Sequence, residues 1–263
     1  AGAERILDNP VLRAGVTVTT ASGIHATPMA EYVLGVMLAM ARQLPAVCAM
    51  QRERTWPAHP WRALRGRELR GETIGILGYG SIGREVGRLA LSLGMRVIAL
   101  SASGRRRDEG YYVEGTGDPE GRIPIAWYTP DDLHTFLASC GFVVVAAPLV
   151  PQTRGLIDEA ALRAMRSDAV LVNIARGEIV QEEALLRALR EGWIAGAALD
   201  VFAQEPLPPE HPFYDLDNVL ITPHMAAMTR HYNERLVDLF VANLRRYLAG
   251  QELLNRVDVD RGY

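Results

Sequence analysis

The sequence predicts a doubly wound α/β fold, a parallel sheet with helices on both faces. Three observations carry this. From Thr73 onward, apolar runs of strand length fall at 73–77, 96–100, 142–146, 170–173, 196–199 and 218–221. Helical patterns at 82–93, 157–165 and 180–190 lie between them, the alternation expected of a parallel sheet covered on both sides. A glycine-rich string, Gly78-Tyr79-Gly80-Ser81-Ile82-Gly83, joins the first run to the first helical pattern.

The remaining elements follow in order. Val16 to Thr20 reads as a short strand. Pro28 marks a helix start, and 29–42 is a long pattern of Leu, Val, Met and Ala, apolar around most of its circumference. Such a helix is expected to be buried between domains or subunits. Residues 51–70, with Trp56, Pro57, Pro60 and Trp61, read as an irregular connector, and 101–129, rich in Gly, Arg and Tyr, as an exposed loop insertion. A last helix, about 229–249, leads to a polar tail, and no internal repeat interrupts the pattern.

Composition narrows the function. The chain has 263 residues, enough for one large or two ordinary domains, and a net charge of −3. Arg105-Arg106-Arg107 is the only basic block, so no nucleic-acid surface is predicted. Cys48 and Cys140 lie far apart in sequence and fit buried thiols in a reducing compartment. Residues 1–8 carry charges without the apolar run of a signal peptide. The most apolar stretch, 32–41, is too short to span a bilayer. The expectation is a cytoplasmic protein that binds no membrane. All 28 basic residues are arginine. The absence of lysine excludes a Walker A loop, a pyridoxal phosphate Schiff base and a lysine nucleophile.

The glycine string supplies the first candidate site. Gly78 permits a tight turn, Gly80 lets a pyrophosphate approach the backbone, and Gly83 lets helix and strand pack closely. The helix N-terminus offers free N–H groups to phosphates. The second strand ends at Ser101, where an NAD-preferring site carries an acid for the ribose hydroxyls. Ser101 does not repel a 2′-phosphate, and Arg105 or a neighbour can pair with one. NADP is therefore favoured over NAD.

Three further segments supply acid–base and anion-binding groups: Asn173-Ile174-Ala175-Arg176-Gly177, Asp200 to Glu205-Pro206, and Thr222-Pro223-His224. Reduction of a 2-oxo acid requires a carboxylate binder, a proton donor near neutral pH and a partner that orients the donor. Arginine, histidine and a carboxylate fit those tasks. Each residue follows a predicted strand, so all three converge on the carboxyl rim of the sheet. Alone, His224 would read as a core or capping histidine, Arg176 as a surface ion pair and Glu205 as a solvated charge. Their joint occurrence in this order favours the active-site reading.

Over nearly the whole chain these segments resemble the D-isomer-specific 2-hydroxyacid dehydrogenases. Pro148-Leu149-Val150-Pro151-Gln152-Thr153-Arg154-Gly155 and 171–177 look like that family's cofactor-domain stretches. The resemblance implies an NAD(P)-dependent oxidoreductase of Rossmann type acting on a small 2-oxo or 2-hydroxy acid such as glyoxylate or hydroxypyruvate, with no metal. It implies that Arg176 orients substrate, His224 is the acid/base, Glu205 supports it and Asp200 contacts the nicotinamide carboxamide. Pro148, Thr153 and Ala175 join the glycine loop and Ser101 as expected cofactor contacts. The formate dehydrogenase branch carries glutamine at the position of Glu205, which argues here for a hydroxyacid.

The resemblance also implies a homodimer formed through the arm that begins at 28–43. It divides the chain into a dinucleotide domain, 26–240, and remnants of a flavodoxin-like substrate domain, 1–25 with 241–263. Family members normally carry most of the substrate domain before the segment resembling Ala1–Asp8. Here that part is absent, so the chain reads either as a fragment or as one that has lost it, and Ala1-Gly2-Ala3-Glu4 reads as the remnant of a glycine-rich loop near the substrate carboxylate. A dinucleotide-sensing corepressor and an inactive cofactor-binding fragment are the alternatives.

Overall fold

A computed structural model describes residues 16–102 and 107–258. Seven parallel strands form one sheet in the order β3-β2-β1-β4-β5-β6-β7. They are β1 (Thr73–Leu77), β2 (Arg96–Leu100), β3 (Ala126–Tyr128), β4 (Phe142–Val145), β5 (Val170–Asn173), β6 (Gly196–Leu199) and β7 (Val219–Ile221). Alternation of side chains along each strand divides the core in two. Ile74, Ile76, Val97, Ala99, Val144 and Val172 face helices α1 (Ala26–Ala41) and α4 (Ser81–Ser92). Leu77, Ile98, Leu100, Val143, Val145 and Leu171 face α5 (Leu133–Ala138), α6 (Glu159–Ala164) and α7 (Glu182–Arg190). A residue on each strand thus has a buried neighbour on either side, which is why the runs lack a polar face.

Chain order reverses between β1 and β4, and the carboxyl ends of these strands flank the crevice where open α/β sheets bind ligands. Gly78 takes φ +96°, and a Cβ there would lie 2.6 Å from the backbone nitrogen of Ala147 beyond β4. Glycine is therefore required both for the turn and for closing the two strand ends together.

Several predicted elements change. Val16 to Thr20 is not a strand; only Thr19 forms a bridge, antiparallel to Arg256, because the segment lies outside the main sheet. The connector 51–70 is more ordered than expected: α2 (Leu44–Glu53) covers its beginning and the short α3 (Pro60–Ala63) follows. Cys48 lies on α2, a helix with no buried residue, so it is exposed; only Cys140 is a buried thiol. The last helix, α8, runs Tyr232–Leu248. Helix α1 buries Val33 and Met37 completely, against α4 and the sheet of its own chain.

The segment 107–123 is the largest correction, for it is not simply an exposed loop. Asp118 is buried and accepts hydrogen bonds from the Tyr79 hydroxyl (3.0 Å) and the backbone N–H groups of Arg122 and Ile123 (2.9 and 3.0 Å). Its carbonyl accepts from Arg84 Nη1 at 2.6 Å, and Gly117 N–H donates to buried Glu85 at 2.5 Å. The segment is strapped to α4 before the chain enters β3. Arg105 lies outside the described residues; Arg107 pairs with Glu120 on the surface. Among the described residues no single helix is long and apolar enough to cross a membrane.

Candidate active site

The glycine loop has the shape a dinucleotide needs. Gly80 caps the N-terminus of α4, and a Cβ built on it would meet nothing within 4 Å, so its outer face is open for close approach. At Gly83 a Cβ would lie 2.4 Å from the Gly78 carbonyl oxygen, which shows how tightly α4 seats on β1. The first-turn N–H groups, including those of Ser81 and Ile82, gather at an open, electropositive helix end suited to a pyrophosphate. The Tyr79 side chain is turned inward onto Asp118 and Trp127, so only its backbone belongs to the loop's outer surface.

The other predicted cofactor residues fall along the same rim. Ser101 follows β2, and its N–H donates to the Tyr128 carbonyl at 3.0 Å. Pro148 is exposed beyond β4, and the Thr153 hydroxyl donates to its carbonyl at 2.6 Å, closing the 148–153 turn. Ala175 is buried, its N–H donating to Asn173 Oδ1 at 3.1 Å.

Arg176 stands just past β5. Asn173 organises that turn from within the protein, since its Nδ2 donates to the Arg176 carbonyl at 3.0 Å. Arg176 is half-buried, with Nη1 donating to the Ala175 carbonyl at 2.7 Å. A Cβ on the next residue, Gly177, would sit 1.9 Å from the Phe202 carbonyl carbon. Only glycine lets the Arg176 turn lie flat against the loop that carries Glu205.

Glu205 and His224 meet directly. Glu205 Oε2 is 2.7 Å from His224 Nδ1, and Oε1 accepts the Phe202 N–H at 3.0 Å. Burial alone would raise the Glu205 pKa. The His224 and Phe202 hydrogen bonds and the positive charges of His224 and Arg176 outweigh it, holding the carboxyl below its ordinary value. A carboxylate only accepts, so Nδ1 carries the proton of this bond, and Nε2 is left as the nitrogen able to exchange one with a ligand. His224 is half exposed, with 49% of its side chain accessible.

His224 adopts φ +51°, uncommon for a residue with a side chain. Asp200 explains how the turn is held. Its carbonyl accepts the His224 N–H at 2.9 Å. Its carboxylate accepts from the Thr222 hydroxyl (2.6 Å), Met225 N–H (2.8 Å) and Ala226 N–H (2.9 Å). Asp200 is 1% exposed. The carboxylate oxygens thus hold the chain's own turn, alongside the contact with nicotinamide that the family resemblance implies.

The sequence pattern gives no sign of a role for Thr222, although it belongs to the Thr222-Pro223-His224 motif, or for Tyr32. The Tyr32 hydroxyl lies 2.6 Å from Thr222 Oγ1 across 190 residues, a separation that leaves no local signal.

Residues 34–226 match the family described as D-isomer specific 2-hydroxyacid dehydrogenase, NAD binding domain. The glyoxylate reductase of Thermofilum pendens is 39% identical over 239 residues, 90% of this chain and 66% of that protein. The chain therefore spans about two thirds of the length of such a relative. The D-isomer specific 2-hydroxyacid dehydrogenase of Xanthobacter autotrophicus Py2, solved with NADPH and MES, superposes with a TM-score of 0.81 at 34% identity, covering 100% of both chains. The NADPH-dependent glyoxylate/hydroxypyruvate reductase of Sinorhizobium meliloti, solved with NADP and sulfate, gives 0.81 at 30% identity over 100% of this chain and 78% of that one. With this match across most of its length and an open glycine cradle at the sheet's switch point, the chain belongs to the D-isomer specific 2-hydroxyacid dehydrogenase family, of which residues 34–226 are the NAD(P)-binding domain.

Proposed function

We propose that this protein catalyses hydride transfer between NAD(P)H and a small 2-oxo acid, giving the D-2-hydroxy acid. The observation that carries the reading is the 2.7 Å contact between His224 Nδ1 and Glu205 Oε2 on the rim that also holds Arg176. In this reading His224 is the acid/base, Glu205 fixes its tautomer and stabilises its charged form, and the Arg176 fork binds the substrate carboxylate. The reduced nicotinamide, when bound, supplies the hydride to the carbonyl carbon. The protonated His224, its charge balanced by Glu205, gives its Nε2 proton to the carbonyl oxygen and is left neutral, with Nδ1–H still bonded to Glu205. In the oxidative direction the same nitrogen takes the hydroxyl proton back.

Glyoxylate and hydroxypyruvate are the proposed substrates because relatives bearing those names match 90% and 100% of the chain. NADP is favoured over NAD by Ser101 and by the relatives solved with NADPH or NADP. For the glycine loop and Ser101 we propose backbone and ribose contacts to that cofactor, with Pro148, Thr153 and Ala175 lining its path. Residues 26–240 are proposed as the dinucleotide domain, 16–25 and 241–258 as belonging with the substrate domain, and the arm through α1 and α2 as the homodimer contact.

The test is a spectrophotometric screen of 2-oxo acids with NADPH and NADH. Turnover of a short 2-oxo acid is expected. Tight dinucleotide binding without turnover of any 2-oxo acid would instead identify a dinucleotide-sensing module.

A further inference from the structure

A line of three hydrogen-bonding groups runs from helix α1 to the turn that carries His224. Tyr32, on α1, lies with its hydroxyl 2.6 Å from Thr222 Oγ1, and Thr222 Oγ1 lies 2.6 Å from Asp200 Oδ1. Proton inventory gives the line a direction. The Asp200 carboxylate can only accept, and it already receives the Met225 and Ala226 N–H groups. The single Thr222 hydroxyl proton therefore goes to Asp200, and Thr222 Oγ1 must accept its second bond. Tyr32 is the donor. Its phenol is suited to remain one, because burial pushes its pKa up to about 12.

The turn needs such an anchor. His224 occupies the left-handed region at φ +51°, which a residue with a side chain holds only where its surroundings impose it. Most of the imposing bonds converge on Asp200: its carbonyl takes the His224 N–H, which the Thr222 carbonyl shares at 3.1 Å, and its carboxylate takes the next two N–H groups and the Thr222 hydroxyl. Thr222 is the member of this set whose hydroxyl can rotate away, and Tyr32 closes that freedom. Helix α1 is a firm base for it, because Val33, beside Tyr32, and Met37 are completely buried in the core beneath the sheet.

We infer that Tyr32 is a positioning residue for His224, acting through Thr222 and Asp200. Its kinetic consequence rests on the function proposed above. Glu205 holds the imidazole by its ring, whereas the Tyr32–Thr222–Asp200 line holds the backbone from which the ring projects. The two supports are independent, since Glu205 shares no hydrogen bond with that line.

The experiment is a double-mutant cycle. Tyr32→Phe keeps the ring and removes the hydroxyl. It is expected to lower kcat about tenfold while leaving the Kd for NADPH within about twofold. Thr222→Val, which cuts the same link from its other side, should give a loss at least as large, and Tyr32→Phe should add nothing to it. Nor should Tyr32→Phe lower the residual rate of His224→Ala, because there is then no imidazole to place. An unchanged kcat in Tyr32→Phe, or a further tenfold loss on top of His224→Ala, overturns the inference. A second readout needs no substrate. The imidazole 15N resonances of His224, followed through a pH titration, should shift in Tyr32→Phe relative to the unmodified protein. Unmoved resonances overturn the inference whatever the kinetics. Absence of turnover in the unmodified protein would instead overturn the proposed function, leaving the resonances to decide the role of Tyr32.

Discussion

His224 Nδ1 lies 2.7 Å from Glu205 Oε2, although the two residues are 19 apart in sequence and leave different strands of the sheet. The contact assigns the nitrogens: the one facing the carboxylate carries a proton, and the other is left for chemistry. His224→Ala is expected to lower kcat by about 10²–10⁴-fold, the usual contribution of a positioned acid/base. NADPH affinity, measured by fluorescence titration, should stay within about twofold, because the imidazole is not among the groups that cradle the pyrophosphate. Near-normal kcat at saturating glyoxylate would remove His224 from the chemistry.

Glu205 predicts a pH dependence with a definite sign. Its folded pKa is depressed by the His224 and Phe202 hydrogen bonds and by nearby positive charge, which outweigh burial. A depressed carboxyl contributes stability that is present above its unfolded pKa, about 4.3, and is lost as pH falls through the lower folded value. The Tm of the unmodified protein should therefore exceed that of Glu205→Gln at neutral pH, with the gap narrowing as pH drops below about 4. A gap that widens on acidification would contradict the direction of the shift.

Arg176→Lys keeps the charge and loses the fork. A charged hydrogen bond contributes about 1.5–3 kcal/mol, so kcat/KM for the 2-oxo acid should fall between about tenfold and a hundredfold. Steady-state kinetics with varied 2-oxo acid measure this, and unchanged values would return Arg176 to a purely structural role.

Ser101 stands where an acid would bind the ribose diol and repel a 2′-phosphate. NADPH should be used at least as well as NADH, and Ser101→Asp should shift the preference toward NADH by about 1–3 kcal/mol. The measurement is the ratio of kcat/KM for the two cofactors. A preference of tenfold or more for NADH in the unmodified protein, about 1.4 kcal/mol, would refute the assignment.

Asp118 joins the 107–123 segment to α4. Asp118→Ala would leave the Tyr79 hydroxyl and two backbone N–H groups without their acceptor. The expected loss is at least about 1–3 kcal/mol, the cost of leaving a buried donor without its acceptor, read from urea midpoints. A change below about 1 kcal/mol, the net worth of an ordinary hydrogen bond, would mean that the segment is not part of the cooperative unit.

Six of the seven strands and the long helices were legible from the chain alone, because a strand buried on both faces or a helix with one buried face leaves its period in the apolar residues. The glycine loop was legible for a related reason: Gly78 and Gly83 mark places where any side chain would collide with backbone. The order of Arg176, Glu205 and His224 after successive strands was enough to put them on one rim. What the sequence could not disclose was partnership. Strand β3 has only three residues, all half-buried, and so lacks a period. Asp118 reads as one more polar residue in a glycine-rich stretch until the glycine loop brings Tyr79, and α4 brings Arg84, to it. Tyr32 reads as part of an apolar helix until packing sets its hydroxyl against Thr222. Burial is recorded residue by residue in local composition, whereas a hydrogen bond between distant segments depends on the relative placement of whole elements, and only the assembled tertiary structure determines that.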